Sequence, residues 1–162
     1  MKELNTTSVL FCCTGNICRS PTAEAVFLHR VKHAGLDDRI LVDSAGTHGY
    51  HVGEPPDPRT VIAAKRRGYD LSALRARRFE RQDFERFDLV LAMDGTNYSH
   101  LARLAKPGQA HKLHMMMEYS RMFHGLEVPD PYYGGSNGFD HVLDMLEDAA
   151  EGLLAVLRGK AG

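Results

Sequence analysis

A cysteine and an arginine near the start of the chain stand in a segment that could bind and attack a phosphoryl group. Cys13 is followed by Thr-Gly-Asn-Ile-Cys and then by Arg19, and Ser20-Pro21 come next. A loop of this length can turn its backbone N–H groups toward one tetrahedral oxyanion, while Arg19 pairs with two of the oxyanion's oxygens. The same surroundings favour a Cys13 thiolate aimed at phosphorus. The spacing therefore predicts a nucleophile at the base of an anion-binding loop.

The residues between Cys13 and Arg19 suit such a loop. Gly15 permits close approach of the backbone, and Asn16 tolerates left-handed geometry and carries an amide that can brace the loop. Ser20 can donate a hydrogen bond to the Cys13 sulfur. A nucleotide-binding loop is disfavoured, because neither G-x-x-x-x-G-K-[ST] nor G-x-G-x-x-G occurs. The predicted phosphate-binding loop comprises Thr14, Gly15, Asn16, Ile17, Cys18 and Ser20.

The flanking segments predict a strand before the loop and a helix after it. Residues 8–12 (SVLFC) are a short apolar run typical of a buried strand. Ser20 is the expected N-cap of the following helix, Pro21 suits its first turn, and Gly35 ends it. Further strands are predicted at residues 40–42, 87–93 and 112–117, helices at 59–67, 94–104 and from 139 onward, and long loops at 45–59 and 118–138.

Strands that alternate with helices predict an α/β fold with a parallel sheet. Right-handed crossovers favour a doubly wound sheet with helices on both faces. Ligands of such sheets bind beyond the carboxyl ends of the strands, and the loop after Cys13 directly follows the first strand. The length of 162 residues fits one domain, so residues 1–162 are expected to form a single unit.

Composition excludes several classes of function. The chain is 43% hydrophobic with a net charge of -1, which disfavours both intrinsic disorder and nucleic-acid binding by bulk positive charge. No apolar run approaches the roughly 20 residues of a membrane helix, and no signal peptide is recognisable. We therefore expect a cytoplasmic protein, with export by a non-classical route left open. The three cysteines lie within seven residues, a spacing that suits neither a disulfide scaffold nor a zinc site.

The segment 9–27, VLFCCTGNICRSPTAEAVF, resembles the signature of the low-molecular-weight protein tyrosine phosphatases. Similar motifs follow in order: DSAGT at 43–47, PPDPR at 55–59, AMD at 92–94 and DPYYGG at 130–135. The resemblance implies a four-stranded parallel sheet, no metal or other cofactor, and hydrolysis of phosphotyrosine and other aryl phosphate monoesters through a phosphocysteine intermediate. The implied partners are tyrosine-phosphorylated proteins, not nucleic acid or a membrane, and we expect a monomer or weak dimer.

The resemblance also assigns roles to individual residues. Cys13 is the implied nucleophile, Arg19 stabilises the transferring oxygens, and Asp130 is the general acid. Cys18 is expected to form a reversible, protective disulfide with Cys13, and Cys12 to be a small buried side chain. Asn16 with Ser44 resembles the bracing network around the loop, and the expected walls of the aromatic substrate slot are Tyr50, Tyr132 and Tyr133.

Three alternative functions are compatible with the loop. A thioredoxin-coupled arsenate reductase would need further cysteines, and none follows Cys18. In protein-arginine phosphatases a Thr replaces the Ile17 found here, and the bulky aliphatic side chain better suits a phenyl ring. An inactive phosphate-binding module is disfavoured by the presence of Cys13, Arg19 and Asp130 together.

The charges are unevenly distributed along the chain. Residues 59–86 carry nine Lys or Arg against four Asp or Glu, whereas residues 127–151 carry seven acids and no base. Two solvated faces of opposite sign are the simpler interpretation. The sharper hypothesis is that Arg75, Arg77 and Arg78 steer anionic phosphoproteins toward the site.

Overall fold

The computed structural model describes residues 6–131 and 137–161 and places four strands and five α-helices within them. The strands are β1 (Thr7–Cys13), β2 (Ile40–Gly46), β3 (Leu89–Ala92) and β4 (Leu113–Met115). The helices are α1 (Arg19–His33), α2 (Pro58–Arg66), α3 (Asp83–Arg86), α4 (Gly95–Ala102) and α5 (Asn137–Ala161). Short 3₁₀ helices flank β4 at Ala110–Lys112 and Met116–Tyr119.

The four strands form one parallel sheet in the order β2-β1-β3-β4, which confirms the predicted fold class. Cys12 pairs in register with Ala45 of β2 and with Ala92 of β3. The second strand, β2, lies on one side of β1, and the third strand, β3, lies on the other side. The carboxyl ends of β1 and β3 therefore flank the switch point of the sheet, which is where ligands of open α/β sheets bind.

Helices cover both faces of the sheet because side chains of β1 alternate between two apolar clusters. Phe11 packs in one cluster with buried side chains of α1, α2 and α5. Leu10 and Cys12 pack in the other, with α3 and α4. Cys12 is fully buried, as the sequence predicted for a small strand residue.

The start of α1 differs from the prediction. The helix begins at Arg19, and Cys18 is the N-cap residue, with no side-chain capping hydrogen bond. The assignment of Ser20 as N-cap was wrong, because its hydroxyl is used by the loop: it accepts from Asn16 and lies against the Cys13 sulfur. The end of α1 is as predicted, with Gly35 at φ 73°.

Several other boundaries also differ, chiefly because strand pairing sets them. The predicted loop at 45–59 is too long at both ends: β2 continues to Gly46 opposite Cys13, and α2 begins at Pro58 with Asp57 as its N-cap. The strands β3 and β4 are shorter than predicted, and α4 ends at Ala102. The helix α3 was not predicted; it buries Phe84 and spans four residues, too few for a periodic pattern.

Within the described ranges, no helix combines the length and apolar character needed to cross a bilayer. In the same part of the chain, no three His, Cys, Asp or Glu side chains gather where a metal could be held. His29 and His33 stand four residues apart on α1 with stacked rings, but the described residues add no third such ligand.

The packing of α5 against the segment after β4 leads to a prediction about Gly152. A Cβ at Gly152 would overlap the backbone carbonyl of Tyr119, whereas a Cβ at Gly159 on the same helix meets open space. Gly152→Ala should lower the free energy of unfolding by about 3 kcal/mol, since backbone must move to make room. Gly159→Ala should raise it by up to about 1 kcal/mol through helix propensity. Urea titration of both variants measures this, and equal stabilities would contradict the packing described.

Candidate active site

A pocket of about 160 Å³ opens at the carboxyl end of β1. Most of its lining comes from the segment between Cys13 and Arg19, and three further residues from elsewhere in the chain reach it: Tyr50, His51 and Asp130. The structure thus brings Cys13, Arg19 and Asp130 to one cavity, although Asp130 is more than 100 positions away in sequence. The cavity lies at the switch point between β1 and β3.

Cys13 is the last residue of β1, and its side chain is 2% exposed. Its Sγ lies 3.0 Å from the Ser20 hydroxyl and 3.4 Å from the Ser20 backbone nitrogen, which donates to it. Asn16 Nδ2 donates to Ser20 Oγ over 2.7 Å, so the hydroxyl proton of Ser20 is available for the sulfur at 3.0 Å or for the Ala45 carbonyl at 3.4 Å. The first turn of α1 therefore presents two donors to Cys13, a setting that stabilises negative charge.

Asn16 braces the loop from inside. It is 3% exposed and has φ 58°, a left-handed conformation that Asn tolerates better than most residues. Besides Ser20, its Nδ2 donates to Ser44 Oγ over 3.0 Å, as the resemblance implied. Its Oδ1 accepts the backbone N–H of Arg77 at 3.0 Å. The amide of Asn16 thus joins the loop to β2 and to the chain after α2.

Arg19 is 2% exposed, so its guanidinium needs partners inside the protein. Nη1 donates to Asp94 Oδ2 at 2.6 Å and to the carbonyl of Val128 at 3.0 Å, and Nη2 lies 3.4 Å from Thr14 Oγ1. Burial opposes the charge, but Cys13 and Asp94 more than compensate and raise the pKa of Arg19. Since the protein fully occupies Nη1, Nε and Nη2 are the donors left for an oxyanion.

Sequence reasoning missed the role of Asp94. It follows β3, and its Oδ1 accepts the backbone N–H of Asn97 at 2.8 Å as the N-cap of α4. Its other oxygen holds Arg19. An Asp at a strand-to-helix junction predicts the cap, but no sequence signal connects it to an arginine 75 positions earlier.

Asp130 lies in a segment that is tied to the β3–α4 junction. The backbone of Val128 donates to the Met93 carbonyl at 2.9 Å, and the carboxylate of Glu127 accepts the backbone N–H of Gly95. The Asp130 side chain is about one-third exposed, with Oδ2 3.8 Å from Arg19 Nη2. A partly solvated carboxyl therefore stands at the rim of the pocket, opposite the buried sulfur.

Of the three tyrosines predicted as walls of the substrate slot, only Tyr50 lies among the described residues. Tyr50 lines the pocket and is 71% exposed. Tyr132 and Tyr133 lie outside the described residues. His51 was not predicted, yet it lines the pocket, and its Cδ2 would be 3.0 Å from a Cβ at Gly15. A residue other than glycine at position 15 would therefore press on this wall.

Cys18 lines the same pocket as Cys13. Burial raises the pKa of the Cys18 thiol to about 12, although the nearby Thr60 side chain acts in the opposite direction. All three cysteines are free thiols. At neutral pH Cys18 is therefore a neutral thiol, unlike the anion expected of a nucleophile.

Glu24 ends the hydrogen-bond chain that begins at Cys13. Ser44, which accepts from Asn16, donates to Glu24 Oε1 at 2.6 Å. Burial, with a smaller contribution from Asp43, raises the pKa of Glu24 to about 7. Nothing in the sequence distinguishes Glu24 from other helical acids, because the Ser44 contact depends on how α1 packs on β2.

The comparison with known proteins identifies the family. The sequence model of the low molecular weight phosphotyrosine protein phosphatases matches residues 8–161. The chain belongs to this family. It is 49% identical over 153 residues to the low molecular weight protein-tyrosine-phosphatase of Streptomyces coelicolor, with 93% of each chain covered. It is 41% identical over 144 residues to the human low molecular weight phosphotyrosine protein phosphatase, covering 88% of this chain and 90% of the human one.

Solved structures agree with the assignment. A protein tyrosine phosphatase from Entamoeba histolytica with Hepes in its active site superimposes with a TM-score of 0.92 at 40% identity, over 96% of this chain and 99% of that one. The predicted fold, family and enzyme class are therefore confirmed: the protein is a phosphatase acting on phosphotyrosine, with phosphoproteins as its substrates.

The raised pKa of Glu24 predicts how the stability of this phosphatase depends on pH. Between the ordinary value of 4.5 and about 7, the folded state holds a proton that the unfolded chain has lost. This contribution to stability is complete below pH 4.5 and is lost as pH rises through 7. Glu24→Gln removes the effect. The free energy of unfolding of the variant minus that of the wild type should therefore be about 2 kcal/mol larger at pH 8 than at pH 5.

Denaturant titrations at both pH values measure this gain. The control is Glu85→Gln at an exposed position, where the stability difference should not change between the two pH values. A difference between Glu24→Gln and wild type that is the same at pH 5 and pH 8 would contradict the assignment.

Proposed function

We propose that this phosphatase works through a phosphocysteine formed on Cys13, with Arg19 and Asp130 as the other catalytic residues. The observation that carries the proposal is the shared pocket: the Cys13 sulfur and the free Nε/Nη2 edge of Arg19 border one small cavity, and Asp130 stands at its rim. A nucleophile, an anion-binding cation and a proton donor are what transfer of a phosphoryl group from an aryl ester requires.

In the first step the Cys13 thiolate attacks phosphorus, and the bond from phosphorus to the phenolic oxygen breaks. Arg19 and the backbone N–H groups of the loop stabilise the charge on the three equatorial oxygens. Asp130 gives its proton to the departing oxygen, so the products of this step are a neutral phenol and phosphocysteine.

In the second step Asp130, now a carboxylate, takes a proton from water as the water oxygen attacks phosphorus. The bond between sulfur and phosphorus breaks, inorganic phosphate leaves, and Cys13 is again a thiolate. Ser20 serves both steps, because its hydroxyl and backbone N–H stabilise the sulfur as nucleophile and as leaving group.

The pocket walls support an aryl substrate. Ile17 contributes an apolar side chain to the lining, and Tyr50 a ring at the mouth. Such walls suit a flat phenyl ring, since aromatic and aliphatic surfaces gain from mutual burial. Tyr132 and Tyr133 as further walls stay predictions.

Several finer predictions belong with this proposal. The shared pocket supports a disulfide between Cys18 and Cys13 as protection against irreversible oxidation. A neutral Cys18 thiol would leave the resting nucleophile undisturbed.

Three further expectations stay predictions: a single domain over residues 1–162, a cytoplasmic location, and a monomeric or weakly dimeric state.

The roles of Cys13 and Asp130 predict different responses to the leaving group. Cys13→Ser should abolish hydrolysis of both 4-nitrophenyl phosphate and phenyl phosphate, because the hydroxyl is a far weaker nucleophile than a thiolate. Asp130→Asn should reduce kcat/KM about 10²- to 10⁴-fold for phenyl phosphate and much less for 4-nitrophenyl phosphate, whose leaving group needs little protonation.

Steady-state kinetics with the two esters measure these effects, and Asp70→Asn, on the exposed loop after α2, is the matched control. Wild-type turnover by Cys13→Ser would overturn the nucleophile assignment. An equal loss on both esters in Asp130→Asn would overturn the assignment of the acid.

A further inference from the structure

An aromatic cluster lies beside the pocket and extends away from it toward α4. The His48 ring stacks on the Tyr50 ring, with centroids 5.0 Å apart, and lies 5.1 Å from the ring of His100 on α4. Tyr50 also lines the pocket. A peptide whose phosphotyrosine occupied the pocket would therefore pass close to the two histidines.

Two arginines add positive charge to this cluster. The Cδ of Arg78 would lie 3.5 Å from a Cβ at Gly49, so its side chain runs along the segment that carries His48 and Tyr50. Burial lowers the pKa of His100, and His48, Arg103 and Arg78 lower it further. With its pKa below the ordinary value, His100 is mostly a neutral imidazole at pH 7, so the positive charge of the cluster comes from the arginines.

The ion pairs in this region involve Arg77 and not Arg78. Arg77 forms ion pairs with Asp43 at 3.1 Å and with Asp83 at 3.0 Å, while Arg75 donates to backbone carbonyls of its own loop. Across residues 6–131 and 137–161, Arg78 forms no ion pair. Of the three arginines in the predicted steering stretch, Arg77 is occupied by internal ion pairs, and Arg78 is the one that reaches the cluster beside the pocket. Steering by the stretch stays a prediction.

Glu54, another carboxylate near the pocket, lies 3.1 Å from His51. The surface formed by His48, His100, Arg78 and Arg103, which we call the cationic rim, thus offers the positive charge of its two arginines beside the Tyr50 wall. Its histidine side chains can serve as hydrogen-bond donors, and an arginine can bind a carboxylate through two parallel hydrogen bonds.

We propose that the cationic rim is a second recognition subsite, which binds a carboxylate of an acidic residue flanking the phosphotyrosine in a protein substrate. The proposal rests on the proposed function, since the pocket must first hold the phosphotyrosine. It adds a chemical class to the substrate: phosphotyrosine with Asp or Glu within a few residues. Because the rim is solvent-exposed, each ion pair contributes modestly and is weakened by salt.

Phosphotyrosyl peptides that differ at one position test the proposal. Each pair of peptides carries Glu or Gln at one site from three residues before to three residues after the phosphotyrosine, with neutral residues elsewhere. The measured quantity is the Glu-to-Gln ratio of kcat/KM for each enzyme, so general changes in activity cancel. The variants are Arg78→Gln and the double variant with Arg103→Gln. Arg75→Gln, which also removes one positive charge but lies outside the rim, is the control.

The wild type should prefer Glu about threefold to fivefold at one or more positions, the range of an exposed ion pair. Arg78→Gln should reduce this ratio, the double variant should bring it to about one, and Arg75→Gln should keep it. The preference should fade in 0.5 M salt. Ratios that are the same in wild type and Arg78→Gln at every position would overturn the subsite. Absence of hydrolysis of all these peptides by the wild type would instead overturn the proposed function.

Discussion

A guanidinium that is almost fully buried must find acceptors within the fold, and the acceptors of Arg19 hold the site together. The first comes from Asp94 at the end of β3, and the second is the carbonyl of Val128, two residues before Asp130. Leaving such a charge without a partner would cost several kcal/mol. Arg19 therefore joins the phosphate-binding loop to the end of β3 and to the segment that leads to Asp130, and it keeps one edge for the substrate.

The loop itself is held by neutral groups. Asn16 occupies a left-handed conformation and directs its amide to Ser20, Ser44 and the backbone of Arg77. These hydrogen bonds are made in the free protein, so the donors around the Cys13 sulfur are in place before any ligand arrives. Preorganised donors of this kind cost no rearrangement during reaction, which is why they contribute strongly to catalysis. Glu24, at the far end of the same chain of hydrogen bonds, makes the arrangement respond to pH.

The features of the fold and of the site that depend on neighbouring residues could be predicted from the sequence. The segment from Cys13 to Arg19 is seven residues long, so its chemistry and its place after a buried strand follow from residue types and spacing. The pairing of Arg19 with Asp94, and of Asn16 with Arg77, depends on segments 75 and 61 positions apart, which only the packed sheet brings together. Ser20 was misassigned for a related reason: its type favours an N-cap, but the neighbouring sulfur and Asn16 use its hydroxyl instead. The sequence also does not distinguish Arg77, which tertiary ion pairs occupy, from its neighbours Arg75 and Arg78.

The proposed mechanism requires that the Cys13 sulfur and the Nε/Nη2 edge of Arg19 face the same tetrahedral anion. A crystal structure of the protein with vanadate, which takes the geometry of a phosphoryl group in transfer, tests this most directly. We expect vanadium bonded to Cys13 Sγ, with its oxygens within hydrogen-bond distance of Arg19 Nε and Nη2 and of the loop's backbone nitrogens. Vanadate bound elsewhere, or held in the pocket without contact to either residue, would contradict it.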